Sequence, residues 1–134
     1  MDNIDVIDVI RPIVDEGSVL TVAELYLDDD LSRQCVGIHL AFSETQIFVH
    51  AEGNDDSIRV LRTPPATLLD GSICKVPAPT EWAPAIGKPV LWAWAMINTQ
   101  GRIDGIQIEF GTVDRPSITV QMLVRASTLV VRIV

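Results

Sequence analysis

The sequence predicts an α+β fold: about eight antiparallel strands in two related four-strand meanders, with an N-terminal helix packed on the sheet. Three observations carry this expectation. Apolar residues recur at helical spacing only near the start, they alternate through most of the remainder, and the two alternating blocks resemble each other.

Residues 3–16, NIDVIDVIRPIVDE, place Ile7, Ile10, Ile13 and Val14 at helical spacing, and Gly17 follows as a C-terminal cap. Pro12 removes one backbone bond, so the helix either kinks there or starts late enough to hold Pro12 in its first turns. After Gly17 the period becomes alternating, and strands are expected over 19–27, 35–42, 46–52 and 57–62. Segment 63–89 holds six of the eight prolines, which excludes a central strand and predicts a long connection with one short helix near 80–86, ending at Gly87. Strands resume over 90–97, 103–110, 117–125 and 128–133. At 134 residues the chain reads as a single domain, 1–134, that buries about two thirds of its unfolded surface. A strongly bent sheet and a barrel-like closure both suit the strand count.

The blocks align as copies. Residues 20–42 lie without a gap on 88–110, so that GIHLAF falls on GIQIEF, and 47–60 continues on 118–131 with Ile47 on Ile118, Val49 on Val120 and Val60 on Val131. This alignment sets Ala23, Leu25 and Leu27 against Leu91, Ala93 and Ala95, and sets Glu24, Tyr26 and Asp28 against Trp92, Trp94 and Met96. Pairing Phe42 with Ile47 around SETQ makes Leu40 face Val49 and Ile38 face Ala51, and it sets His39 opposite His50. In the second block Phe110 faces Ile118, Ile108 faces Val120 and Ile106 faces Met122, which leaves Gln107 opposite Gln121.

Within LWAWAM, residues 91–96, both faces are apolar: Trp92, Trp94 and Met96 share one, Leu91, Ala93 and Ala95 the other. Trp92, Trp94, Met96 and Tyr26 are therefore the candidate ligand or interface residues. The helix, or the proline-rich connection with Trp82 and Leu68-Leu69, is the favoured cover for the tryptophan face. A homodimer interface and a small-molecule or catalytic pocket are the other two readings.

Eighteen acidic residues against ten basic give a formal charge of −8, which argues against nucleic acid and for a basic protein partner. The DDD turn at 28–30 and the EGNDD turn at 52–56 are expected at one end of the first block, gathering Asp28, Asp29, Asp30, Glu52, Asp55 and Asp56 into an acidic rim. Neither loop has the EF-hand pattern. The histidine pair, His39 and His50, is the weak candidate for a metal, since zinc wants three or four ligands; no metal and no cofactor is assigned. There is no nucleophile elbow, phosphate loop or dinucleotide fingerprint, and Cys74 beside Lys75 has no evident histidine, so no catalytic residue is assigned. Cys35 and Cys74 read as free thiols, and the acidic start MDNIDVIDVI lacks the charge of a signal peptide. No apolar run suits a bilayer. A cytoplasmic location without a membrane partner is expected. The reading reached is an acidic interaction protein, with an immunity-type inhibitor of a basic toxin as its concrete form, and a pocket at Trp92 and Trp94 as the alternative.

Along IGKPVLWAWAMINTQGRIDGIQIEF the chain resembles a small family of uncharacterised bacterial single-domain proteins, through Gly87-Lys88, the Trp-rich strand, Asn98, Gln100-Gly101, Asp104-Gly105 and Phe110. The resemblance implies a small single-domain bacterial protein and brings no activity, substrate or catalytic residue. The NTQG turn also has a physical reading, with Gly101 in the left-handed position of a three-residue hairpin loop.

Overall fold

The computed structural model describes residues 6–52, 56–63, 72–126 and 128–134. Helix α1 spans Val6–Asp15 and buries Val6, Val9, Ile10 and Ile13. Ile7, expected in the buried stripe, is exposed instead. The helix runs through Pro12, whose carbonyl still accepts from Glu16 N–H at 3.0 Å. It stops at Gly17 (φ 57°), where Gly17 N–H donates to Val14 and Ser18 N–H donates to Ile13, a Schellman arrangement that satisfies the last carbonyls.

Nine strands follow among the described residues: β1 Leu20–Asp28, β2 Gln34–Phe42, β3 Gln46–Glu52, β4 Ser57–Leu61, β5 Ile73–Pro77, β6 Val90–Ile97, β7 Ile103–Gly111, β8 Pro116–Arg125 and β9 Thr128–Ile133. They form a five-stranded sheet, β4-β3-β2-β1-β5, and a four-stranded sheet, β6-β7-β8-β9. The two meanders are thus separate sheets that face each other, β4 against β7 and β8, and β2 and β3 against β9, rather than one bent sheet or a closed barrel. Between them lie Leu20, Ile38, Leu40, Ile106, Phe110 and Met122, all buried.

The strand beyond the expected eight is β5, inside the proline-rich connection. It is an edge strand, where proline is tolerated. Ala78 N–H donates to the Ala23 carbonyl and Asp29 N–H to Ser72, so the ladder alternates to leave Pro77, opposite Glu24, at a position that needs no donor toward β1. A 3-10 helix follows at Thr80–Ala85 and buries Trp82 and Ala85.

Both halves share an irregularity that periodicity cannot reveal. Register shifts fall between Leu20 and Val22 and between Tyr26 and Leu27 in β1, and between Val90 and Trp92 and between Met96 and Ile97 in β6. Superposing them matches Ala23 with Ala93, Glu24 with Trp94, Leu25 with Ala95 and Tyr26 with Met96, one strand period away from the gapless alignment. The slip arises because the β1–β2 connection, with a 3-10 turn at Asp29–Leu31, is longer than the NTQG turn. In NTQG, Asn98 Oδ1 accepts from Gln100 and Arg102 N–H, and Gly101 sits at φ 80°.

The copies meet on a local two-fold axis. Val19 bridges Pro89, Leu20 N–H donates to the Lys88 carbonyl at 3.1 Å, and Val90 N–H donates to the Ser18 carbonyl at 2.9 Å. These are the same bond in the two halves. Gly17 and Gly87, both at positive φ, precede the two meanders in the same way, so that α1 and the Thr80–Ala85 helix are counterparts.

The second hairpin has the expected register, with Phe110 on Ile118, Ile108 on Val120, and Gln121 Nε2 donating to Gln107 Oε1 at 3.0 Å. The first is tighter than expected. Phe42 N–H donates to Thr45, so Ser43 and Glu44 alone turn the chain; Leu40 faces Ile47, His39 faces Phe48 and His50 faces Gly37. The expected His39–His50 pairing is therefore corrected: a turn shorter than SETQ moves β3 by one strand period, which keeps the faces and changes the partners.

Candidate functional site

On β6, Ala93 and Ala95 face the core opposite Ile108 and Ile106, while Trp92, Trp94 and Met96 face outward opposite Glu109, Gln107 and Gly105. Trp92 is 54% and Trp94 42% exposed. Among the described residues, neither α1 nor the 72–89 part of the proline-rich connection buries them. Helix α1 packs against β6 and β4 at the side of the sandwich, and Trp82 is buried in the core. Leu68 and Leu69 lie outside the described residues. Met96 differs from its neighbours on this face, because its methyl and Leu123 close over Gly105.

Between α1 and the edge of β6, on which no described strand pairs, runs an open groove of about 470 Å³. Val6, Ile10 and Val14 line it from the helix, Ala93 and Ala95 from the strand, and Arg11 with Asp15 provide its polar groups. Ile7, at one wall, and Ile97, at the end of β6, add exposed apolar surface to that of the two indoles. An aliphatic groove bordered by indoles and by one charge of each sign can take an apolar group and orient a polar one. The helix side of this groove was not evident from the sequence; the signal was Gly17 and Gly87, which mark equivalent helix-to-strand turns.

Tyr26 belongs to a different place. It is buried on the outer face of the first sheet, edge-on to Phe48 with ring centroids 5.0 Å apart, and Phe48 lies over Gly37 with its ring in turn near His50. Beside this cluster His39 Nδ1 lies 3.0 Å from Glu24 Oε1, its Nε2 lies 2.8 Å from Gln46 Oε1, and Lys75 Nζ lies 3.8 Å from Glu24. These contacts tie β1, β2, β3 and β5 together across the sheet.

Burial holds the His50 imidazole below its usual range, and Arg59 pushes the same way, against the opposing pull of the Ala51 carbonyl and Glu52. The unfolded chain takes up the proton near 6.5 while the folded chain resists it. This contribution to stability is complete above the unfolded value and is lost as pH falls through it to the lower folded value. In urea titrations between about pH 7 and 5, His50→Gln should therefore show a shallower loss of stability than the wild type. Equal slopes would contradict the assignment.

Asp28, Asp29, Asp30, Glu52 and Asp56 lie at one end of the first sheet, where most of them have local tasks. Asp28 Oδ1 caps Asp30 N–H at 2.9 Å, Arg33 pairs with Asp29 at 3.1 Å, and Glu52 lies 4.0 Å from Arg59 Nε. Asp55 falls outside the described residues. Among the described residues no three His, Cys, Asp or Glu side chains gather as a metal site. Cys35 is half-buried and its thiol is pushed up to about 11, chiefly by desolvation, which favours the protonated thiol at neutral pH. No helix among the described residues is long and apolar enough to cross a membrane.

Residues 1–134 match a family described as a family of unknown function (DUF6334), and the chain belongs to it. No curated protein and no solved structure matches the chain.

Proposed function

We propose that this member of the DUF6334 family is a small acidic interaction protein that binds a basic protein partner through the β6 face and its groove, with inhibition of a cationic toxin in the cytoplasm as the sharpest form of that role. The observation that carries the reading is the pair of exposed indoles on a strand, Val90–Ile97, that holds no charged residue and borders an apolar groove. Exposed apolar surface of this kind marks interfaces, and Trp is favoured at their energetic centres. The formal charge of −8 supports a basic partner and disfavours pairing with an equally acidic second copy. Small-molecule binding is the second reading, favoured by the groove volume and by the placement of Arg11 and Asp15.

Affinity capture from cells that make the protein, with the wild type and with Trp92→Ala/Trp94→Ala, followed by reconstitution from purified components, tests the first reading. A partner should be recovered whose Kd rises on the order of a hundredfold in the double variant and whose association slows with salt. Recovery of the same proteins at the same affinity by both forms would refute it.

A further inference from the structure

We propose that the free edge of β6 is a docking site for an extended strand of a basic partner protein, which adds antiparallel to β6 as a fifth strand of the second sheet. The inference rests on the interaction reading above and specifies how the partner is held. Side chains opposite Ala93 and Ala95 face the groove and are bulky and apolar; those opposite Trp94 and Met96 lie on the indole face and include lysine or arginine.

The molecule carries its own template for this arrangement. The local two-fold axis through Val19 and Pro89 relates β6 to β1, and the corresponding edge of β1 is filled by β5. There Leu25 pairs with Val76, Tyr26 with Lys75 and Leu27 with Cys74. Lys75, on the outer face, reaches Glu24. The pattern along β5 is apolar inward, basic outward, apolar inward. By the same alternation the N–H and C=O groups of Ala93 and Ala95 point away from β7, and no strand of the described residues lies on that side.

The grooves differ in the way a missing strand requires. The counterpart beside β1, lined by Leu25, Cys35, Trp82 and Val131, has about 220 Å³ against about 470 Å³ beside β6. Ala95 stands where the filled edge has Leu25, so a guest needs larger side chains than β5 presents. Self-pairing of β6 would offer only the methyl groups of Ala93 and Ala95 to this groove and would bring two chains of charge −8 together. A basic guest is attracted by that same charge, and its cations can rest on the indole faces near Glu109. Exposed edges are usually blunted by charge or proline, and β6 has neither.

A short capped peptide alternating valine with lysine is the probe. Titrated to millimolar concentration into the intact protein, it should move tryptophan emission to the blue with saturation and slow amide exchange at Ala93 and Ala95 by about tenfold or more. A valine–glutamate peptide should bind at least about tenfold more weakly. Ala95→Pro, which removes an outward N–H at an edge position, should abolish the response; if that variant does not fold, exchange in the wild type still decides. Saturable emission change without slowed exchange at Ala93 and Ala95 overturns strand addition and leaves the interaction surface standing. Neither change overturns it as well, and the capture experiment then judges the surface separately. Slowed exchange that grows with protein concentration in the absence of peptide identifies a second copy as the occupant and also overturns the proposal.

Discussion

Replacing Phe48 by alanine should remove about 3–5 kcal/mol of stability, a large part of the roughly 5–15 kcal/mol that holds a domain of this kind. Phe48 is fully buried although it lies on the outer face of its sheet. Its ring crosses Gly37, meets Tyr26 edge-on and borders His50. The same contact predicts the behaviour of Gly37. A methyl there would meet three ring atoms of Phe48, and the strand on which Phe48 sits leaves the ring little room to withdraw, so Gly37→Ala should cost about 1–3 kcal/mol. Gly105, its counterpart, is approached by the flexible ends of Met96 and Leu123, which can move, so Gly105→Ala should cost less. Urea denaturation of the two alanine variants, and of Gly37→Ala combined with Phe48→Leu, checks this. The combined variant should lose less than the sum of its parts, whereas strict additivity would mean that the ring does not enforce the glycine.

The three tryptophans should separate just as sharply. Trp82→Ala should cost about 3–5 kcal/mol, because its side chain is 3% exposed and anchors the Thr80–Ala85 helix into the core. Trp92→Ala and Trp94→Ala should each cost far less, about 1 kcal/mol or below, because their side chains are 54% and 42% exposed and border an open groove. Denaturant midpoints measured on the three single variants decide the matter. A large stability loss at Trp92 or Trp94 would mean that the chain itself covers them, and the binding surface would disappear with it.

Much of this architecture could be read from alternation. The strands at 90–97 and 128–133 were expected with the observed bounds, and Gln107 does face Gln121. Alternation fixes which face a side chain occupies, so Trp92, Trp94 and Met96 were correctly grouped even where their partners in the first half were not. It is blind to shifts of one full period. The tight Ser43-Glu44 turn and the longer β1–β2 connection each moved a register by that amount, separating His39 from His50 and matching Trp94 with Glu24 instead of Tyr26. Strand β5 was hidden by the prolines around it, whose meaning depends on which edge of the ladder the missing N–H faces. The groove was hidden because its two walls, α1 and β6, are far apart in sequence, and an amphipathic helix in a chain with an apolar strand reads as the cover of the tryptophan face.

Amide hydrogen exchange in the free protein, measured residue by residue, tests the central claim that, among the described residues, β1 has an edge partner in β5 and β6 has none. Leu25, paired with Val76, should exchange slowly, and Ala95, its counterpart on β6, should exchange many times faster at every protein concentration. Equal protection at the two positions would mean that the β6 edge is already filled, and the account of a bare edge awaiting a partner would be wrong.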